Sequence, residues 1–404
     1  MKILFLANLI PFPLDGGGKI FTHSIIEALS INNDIDLVCF YEHEDVLAAK
    51  KDLYKYCKRI KTLPIRVTTK ENMSLMMKKA LWSLFSLRPL AVSKYKTKAM
   101  SSSLQKILKK NDYDCVFINL LAMGVYYQDI MRACPKINVV LYEQNCEALI
   151  YKRLFEQEKR MVKKLFLGVE YYKLDRFEQK TIKQVDKVIT LSEEDKENLR
   201  LQHADVIPIG VRPQEYQKQY SKGMNSIVRM LFVGTMTWAP NNEGIIWFLK
   251  EVMPLCEDPT KFQLSIVGKN PSEEVLKLSK KYSNVFVKGY VESLDAEYDN
   301  ADVLIVPLFV GSGQRVKIIE AFARRFAVIS TTIGAEGLKY DPDRSIMIAD
   351  SKEDFMKQLE RCRDASYLDS VASAGKCIFD TTYSTNVIEK RLNEMLIRIG
   401  KKGC

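Results

Sequence analysis

The chain has 404 residues, 47% apolar and 27% charged, and a formal net charge of +11. That length exceeds one ordinary core and points to two α/β domains of roughly 200 residues each. Nine cysteines without a Cys-x-x-Cys pair, and three histidines (His23, His43, His203) not spaced with them, argue against a zinc site and suit a reducing cytoplasm.

Met1–Ala7 is too short an apolar run for a leader and lacks a cleavage site, so it reads as a first buried strand. No run approaches the roughly 18 apolar residues of a spanning helix. Further strands are predicted at Ile35–Phe40, Arg59–Ile65, Cys115–Asn119, Asn138–Tyr142, Lys187–Leu191 and Asp205–Ile209, with one long charged helix from about Glu147 to Gln184. A break at Pro208–Pro213 and a polar stretch to Asn225 follow. The alternation restarts with Val228–Val233, Phe262–Val267, Val285–Lys288, Val303–Val306, Ala327–Ser330 and Ser345–Ile348. The domains therefore read as 1–210 and 226–384. The last helix, over 385–404, has one apolar face suited to packing back on the first domain.

The charge is uneven. Residues before 226 hold 37 Lys+Arg against 26 Asp+Glu, and the remainder is balanced at 24 each. Residues 51–100 alone carry 13 basic and 2 acidic side chains. This block reads either as a solvated face or as a patch for an anionic partner, with Ser74–Arg88 a candidate helix for a membrane surface. A nucleic-acid partner would rest on charge alone, with no recognition motif, and is set aside.

The first strand ends in a loop containing Gly16-Gly17-Gly18, either a plain turn or a phosphate or sugar contact. It lacks the spacing of the dinucleotide fingerprint, which leaves NAD binding little support. The segment Pro307–Phe322 is more specific. Gly311 and Gly313, either side of Ser312, free the backbone after a buried strand, and a helix then opens with Arg315 and Lys317. Two cations in a first turn oppose the helix dipole unless an anion lies there. Glu320, one turn deeper, suits two ribose hydroxyls. A surface helix with a Lys–Glu pair is the plainer alternative; a diphosphate plus ribose accounts for all these residues together. Gly234, Gly268 and Gly289 each follow a strand and converge on the same sheet edge. Asp34-x-Asp36 and Asp341-x-Asp343 have metal-like spacing but sit at a strand start and in a turn, so no metal site is expected.

From Leu231 to Leu338 the chain resembles family 4 of the retaining, GT-B-fold glycosyltransferases, in a branch of bacterial surface-polysaccharide gene sets. The resemblance is carried by Phe232-Val233-Gly234, Trp238-Ala239-Pro240-Asn241, Gly311–Lys317, Glu320-Ala321 and Gly334–Leu338. It implies an α/β fold of two Rossmann-like domains with parallel sheets facing across a cleft. The donor, a nucleotide-diphosphate sugar such as a UDP-sugar, would be bound by Gly234, Gly268, Gly311, Ser312, Gly313 and Glu320, with its base near Tyr290 and Val291. Arg315 and Lys317 would neutralise the leaving diphosphate in place of a metal, and no further cofactor is implied. Gly16, Gly17, Gln144 and Asn145 would face a glycan or polyprenyl-linked acceptor, at the cytoplasmic face of the membrane. Two residues depart from the family pattern: Ser312 stands where the first glutamate of Glu-x7-Glu belongs, and Gln144 where many relatives have histidine. A non-catalytic partner subunit and a sugar-nucleotide epimerase are the alternatives.

Overall fold

The alternating strands and helices resolve into two parallel sheets. The computed structural model describes residues 1–14, 17–42, 50–66, 86–221, 227–256, 258, 260–311 and 313–400. The chain divides into one unit of Met1–Gly210 with Ile388–Cys404, and a second of Val211–Val387.

Unit 1 contains β1 (Lys2–Ala7), β2 (Asp34–Tyr41), β3 (Arg59–Pro64), β4 (Cys115–Asn119), β5 (Asn138–Tyr142), β6 (Lys187–Thr190) and β7 (Asp205–Val206). They lie in the order β3-β2-β1-β4-β5-β6-β7, and every pairing is parallel. Unit 2 contains β8 (Val228–Val233), β9 (Phe262–Val267), β10 (Val285–Gly289), β11 (Val303–Val306), β12 (Ala327–Ser330) and β13 (Met347–Ile348). Its order is β10-β9-β8-β11-β12-β13, again all parallel. Both sheets are doubly wound from their first strand, so the order reverses between β1 and β4 and between β8 and β11. Ligands of open α/β sheets bind at such reversals, beyond the C-terminal strand ends.

The central strands are apolar on both faces because helices cover both. In unit 2, Met230, Phe232, Leu264, Ile266 and Ile305 pack with Phe248, Leu249, Val252 and Phe355 on one side. Ile318, Ile319 and Phe322 are buried with them in the unit's interior. In unit 1, Leu4, Leu6, Val38, Val116 and Leu141 meet Met100, Leu104, Tyr126 and Leu174.

The structure corrects the long helix. Two helices, Glu147–Gln157 and Met161–Gln184, pack against each other, separated by Glu158–Arg160 in extended backbone at both caps. No Pro or Gly marks this break. The Glu158 carboxylate makes it locally, accepting from the Arg160 N–H at 3.0 Å and pairing with Lys163 at 2.5 Å. The C-terminal helix, Thr385–Ile399, buries Ile388, Leu392, Met395 and Leu396. Within unit 1 its Glu389 accepts from Asn32 at 2.9 Å, and Arg398 pairs with Asp205.

Candidate functional site

In unit 2, β8 leads through Gly234 and Trp238 into a helix over Ala239–Trp247. Strand β11 leads through Pro307–Arg315 into a helix over Val316–Ala323, whose first turn holds no acidic residue. These loops flank the reversal. The two segments touch closely, because a side chain at Gly244 would strike the Pro307 carbonyl.

Asn241, in the first turn of the earlier helix, connects them. Its Nδ2 donates to the Thr235 carbonyl at 3.0 Å, and its Oδ1 accepts from Lys317 Nζ at 2.9 Å. The carboxamide lies over Gly234, where a Cβ would come within 2.6–2.9 Å of it. Lys317 Nζ also sits 5.0 Å from the centroid of the Phe232 ring. Burial, and secondarily the Arg315 charge, lower the Lys317 pKa to about 7, against the pull of Glu320. This ammonium is held ready in a place that disfavours its charge.

The two cations do not both stand exposed: Arg315 is buried. It is 6% exposed, and Lys317 is partly buried. The Arg315 guanidinium folds back, donating to the Gly313 carbonyl at 2.6 Å and lying 5.7 Å from the Trp238 ring centroid. Gly311 is required by this packing: its φ is +127°, and a Cβ there would sit 2.8 Å from the guanidinium. Gln314 Nε2 donates to the Gly337 carbonyl at 2.9 Å, tying the loop to the segment after β12. Glu320 is partly buried. Burial raises its pKa, while Arg324 and Lys317 oppose the rise.

The other expected residues lie on the same sheet edge, with a change of reason for two of them. Gly234 and Gly268 were read as openings for a ligand. A Cβ on Gly268 would instead strike the Gly234 carbonyl, and the Gly268 N–H donates to Gly289 at 2.7 Å. The glycines let the ends of β8, β9 and β10 close on one another. Tyr290 is exposed, with Lys269 Nζ 4.6 Å from its ring centroid, and Val291 is partly buried beside it. Ser312 lies outside the described residues.

In unit 1 the structure brings Gly17 and Gln144 to the β1–β4 reversal. Gly17 opens the helix Gly17–Ser30 and is exposed. Gln144, 5% exposed, donates from Nε2 to Asn119 Oδ1 at 2.8 Å and to Thr22 Oγ1 at 3.3 Å. Asn119 donates to Thr22 at 2.8 Å, and Thr22 donates to the Gly18 carbonyl at 2.9 Å. Asn145 is partly buried next to Gln144. Gly16 lies outside the described residues. Sequence reading missed Thr22, Asn119 and Glu143. The Glu143 carboxylate is 1% exposed and accepts no hydrogen bond among the described residues. Burial, then the charges of Glu178, Glu147 and Asp195, push its pKa well above the carboxylate range.

Of the spaced aspartates, Asp36 is taken up by Arg59 at 2.9 Å and Tyr113 at 2.6 Å, and Asp343 accepts from Gln358 at 2.8 Å. Among the described residues, no group of three or more His, Cys, Asp or Glu is arranged to hold a metal.

Residues 228–364, the segment that builds this cation site, match the family of Glycosyl transferases group 1. Over 372 residues, 89% of this chain and 90% of the other, the sequence is 28% identical to an uncharacterized 44.6 kDa protein in the cps region of Klebsiella pneumoniae. Among solved structures, a glycosyltransferase from Rickettsia africae matches with a TM-score of 0.65 at 14% identity, over 98% of each chain. Anabaena Alr3699/HepE, solved in complex with UDP and glucose, matches with a TM-score of 0.66 at 14% identity, over 98% of this chain and 100% of its own. These likenesses show the two-domain α/β fold of GT-B glycosyltransferases. Among the described residues, no helix is long and apolar enough to cross a membrane.

Proposed function

We propose that the protein transfers a sugar, with retention, from a nucleotide-diphosphate sugar to a glycan or polyprenyl-linked acceptor in surface-polysaccharide synthesis. The observation that carries this reading is the pair Arg315 and Lys317 at the mouth of a helix without first-turn acids, on the reversal of the group 1 domain's sheet. A diphosphate placed there would meet both cations and the helix N-terminus at once. The bound UDP of the Anabaena structure and the cps region of the Klebsiella relative support the same reading.

In this reaction Arg315 and Lys317 stabilise the negative charge that grows on the leaving diphosphate as the bond to the sugar breaks. Glu320 accepts hydrogen bonds from the ribose, and Tyr290 offers its exposed ring to the base. The acceptor hydroxyl forms the new bond on the face the diphosphate leaves, and its proton passes to the departing phosphate oxygen. Neither step needs a metal. We assign the acceptor to the loops of Gly16, Gly17, Gln144 and Asn145, and the work to the cytoplasmic face of the membrane.

A thermal-shift series with nucleoside diphosphates and their sugars tests the proposal. At least one of them should raise the melting temperature of the wild-type protein, and Lys317→Ala should abolish the rise. If none shifts the wild-type protein at millimolar concentration, the donor reading fails.

A further inference from the structure

The end of the paired helices in unit 1 presents apolar side chains to solvent. Met161, Val162 and Leu165, on the first two turns of Met161–Gln184, are 80%, 86% and 71% exposed. Tyr172, two turns further along, is exposed as well. Met161, Leu165 and Tyr172 fall within about 40° of each other around the helix and span about 16 Å of its length. Exposure of this kind costs a soluble surface and is uncommon without a partner.

The residues around this stripe are basic. Residues 152–164 hold Lys152, Arg153, Lys159, Arg160, Lys163 and Lys164 against only Glu156 and Glu158. Glu156 lies 4.0 Å from Lys152, and Glu158 pairs with Lys163. Lys159 and Arg160 are exposed and make no ion pair among the described residues.

We propose that this helix end docks the protein on an anionic lipid bilayer, with Met161, Val162 and Leu165 inserted at headgroup depth and Lys159 and Arg160 among the lipid phosphates. Both halves of such a surface are present: a short apolar wedge and uncompensated cations beside it. A second copy of the chain fits poorly. A two-fold contact sets the same patch against itself, so it would gather Lys159 and Arg160 of both copies in one interface. The inference does not rest on the transferase reading. It also uses different residues from Ser74–Arg88, most of which lie outside the described residues.

Co-sedimentation of the full chain with phosphatidylcholine vesicles, with and without 30% phosphatidylglycerol, tests it across a salt series. Binding should require phosphatidylglycerol and weaken as salt rises, because each basic residue contributes about fivefold to partitioning. Lys159→Glu with Arg160→Glu should cut partitioning by more than tenfold. Met161→Ser with Val162→Ser and Leu165→Ser should do the same while leaving the melting temperature unchanged. Three results would overturn the proposal. The wild-type protein could ignore anionic vesicles at low salt, or the serine variant could bind as well as wild type. The serine variant could also melt well below wild type or turn a dimer into a monomer by sedimentation, which would mean that protein covers the patch.

Discussion

Lys317 and Asn241, 76 positions apart, share a hydrogen bond of 2.9 Å that joins the first turns of the two helices flanking the sheet reversal. The contact fixes an ammonium whose charge the surroundings resist. Replacing Asn241 by Ala should leave Lys317 without its acceptor and lower kcat/KM by about tenfold to a hundredfold, with a smaller effect on the melting temperature. Asn241→Asp should behave differently: a carboxylate raises the Lys317 pKa but competes with the diphosphate for it. Its donor Kd should therefore rise although the lysine is more fully charged. Titration calorimetry with a nucleoside diphosphate separates the two variants.

The Lys317 pKa of about 7 gives donor binding a pH dependence. Above about 7 the free protein holds this lysine neutral, so binding a diphosphate must take up a proton. Donor affinity should then fall as pH rises, by up to about tenfold per unit. Stability of the ligand-free protein moves the other way. A lysine depressed on folding leaves the native chain with fewer protons than the unfolded one between about 7 and 10.5, so stability increases with pH through that window. Calorimetry in buffers of different ionisation enthalpy counts the proton, and Lys317→Arg should flatten the affinity profile.

Glu320→Gln should raise the donor KM by about tenfold or more with kcat largely kept, since the ribose lies away from the reacting carbon. A loss in kcat at unchanged KM would move Glu320 into the chemical step.

Activity should survive EDTA. In the proposed reaction Arg315, Lys317 and the helix N-terminus offset the diphosphate charge. Initial rates before and after chelation, with Mg²⁺ or Mn²⁺ added back, check this directly.

Most strands were legible in the sequence because parallel strands covered on both faces are continuous apolar runs. Cys115–Asn119, Phe262–Val267 and Ala327–Ser330 match to the residue. The helix break at Glu158–Arg160 was not, because a side chain makes it where no Pro or Gly announces it. The cations at 315 and 317 stood out by their offset from the helix dipole. Asn241 did not, since its role depends on a residue far away in sequence. At Gly234 and Gly268 the missing side chain was correctly noticed, but neighbouring protein atoms fill the space it leaves. Glycine spacing alone cannot separate a ligand from a close-packed neighbour.

The closing helix has a consequence for how the chain is made. Ile388, against Gly210, and Leu392, Met395 and Leu396 complete the interior of unit 1, yet they emerge only after all of Val211–Val387 has been translated. Unit 2 is thus an insertion in the topology of unit 1. At 5–20 residues per second, the nascent first unit waits about 10–35 s for its last element. During that interval the surface that will receive Ile388 is open to chaperones and to other nascent chains.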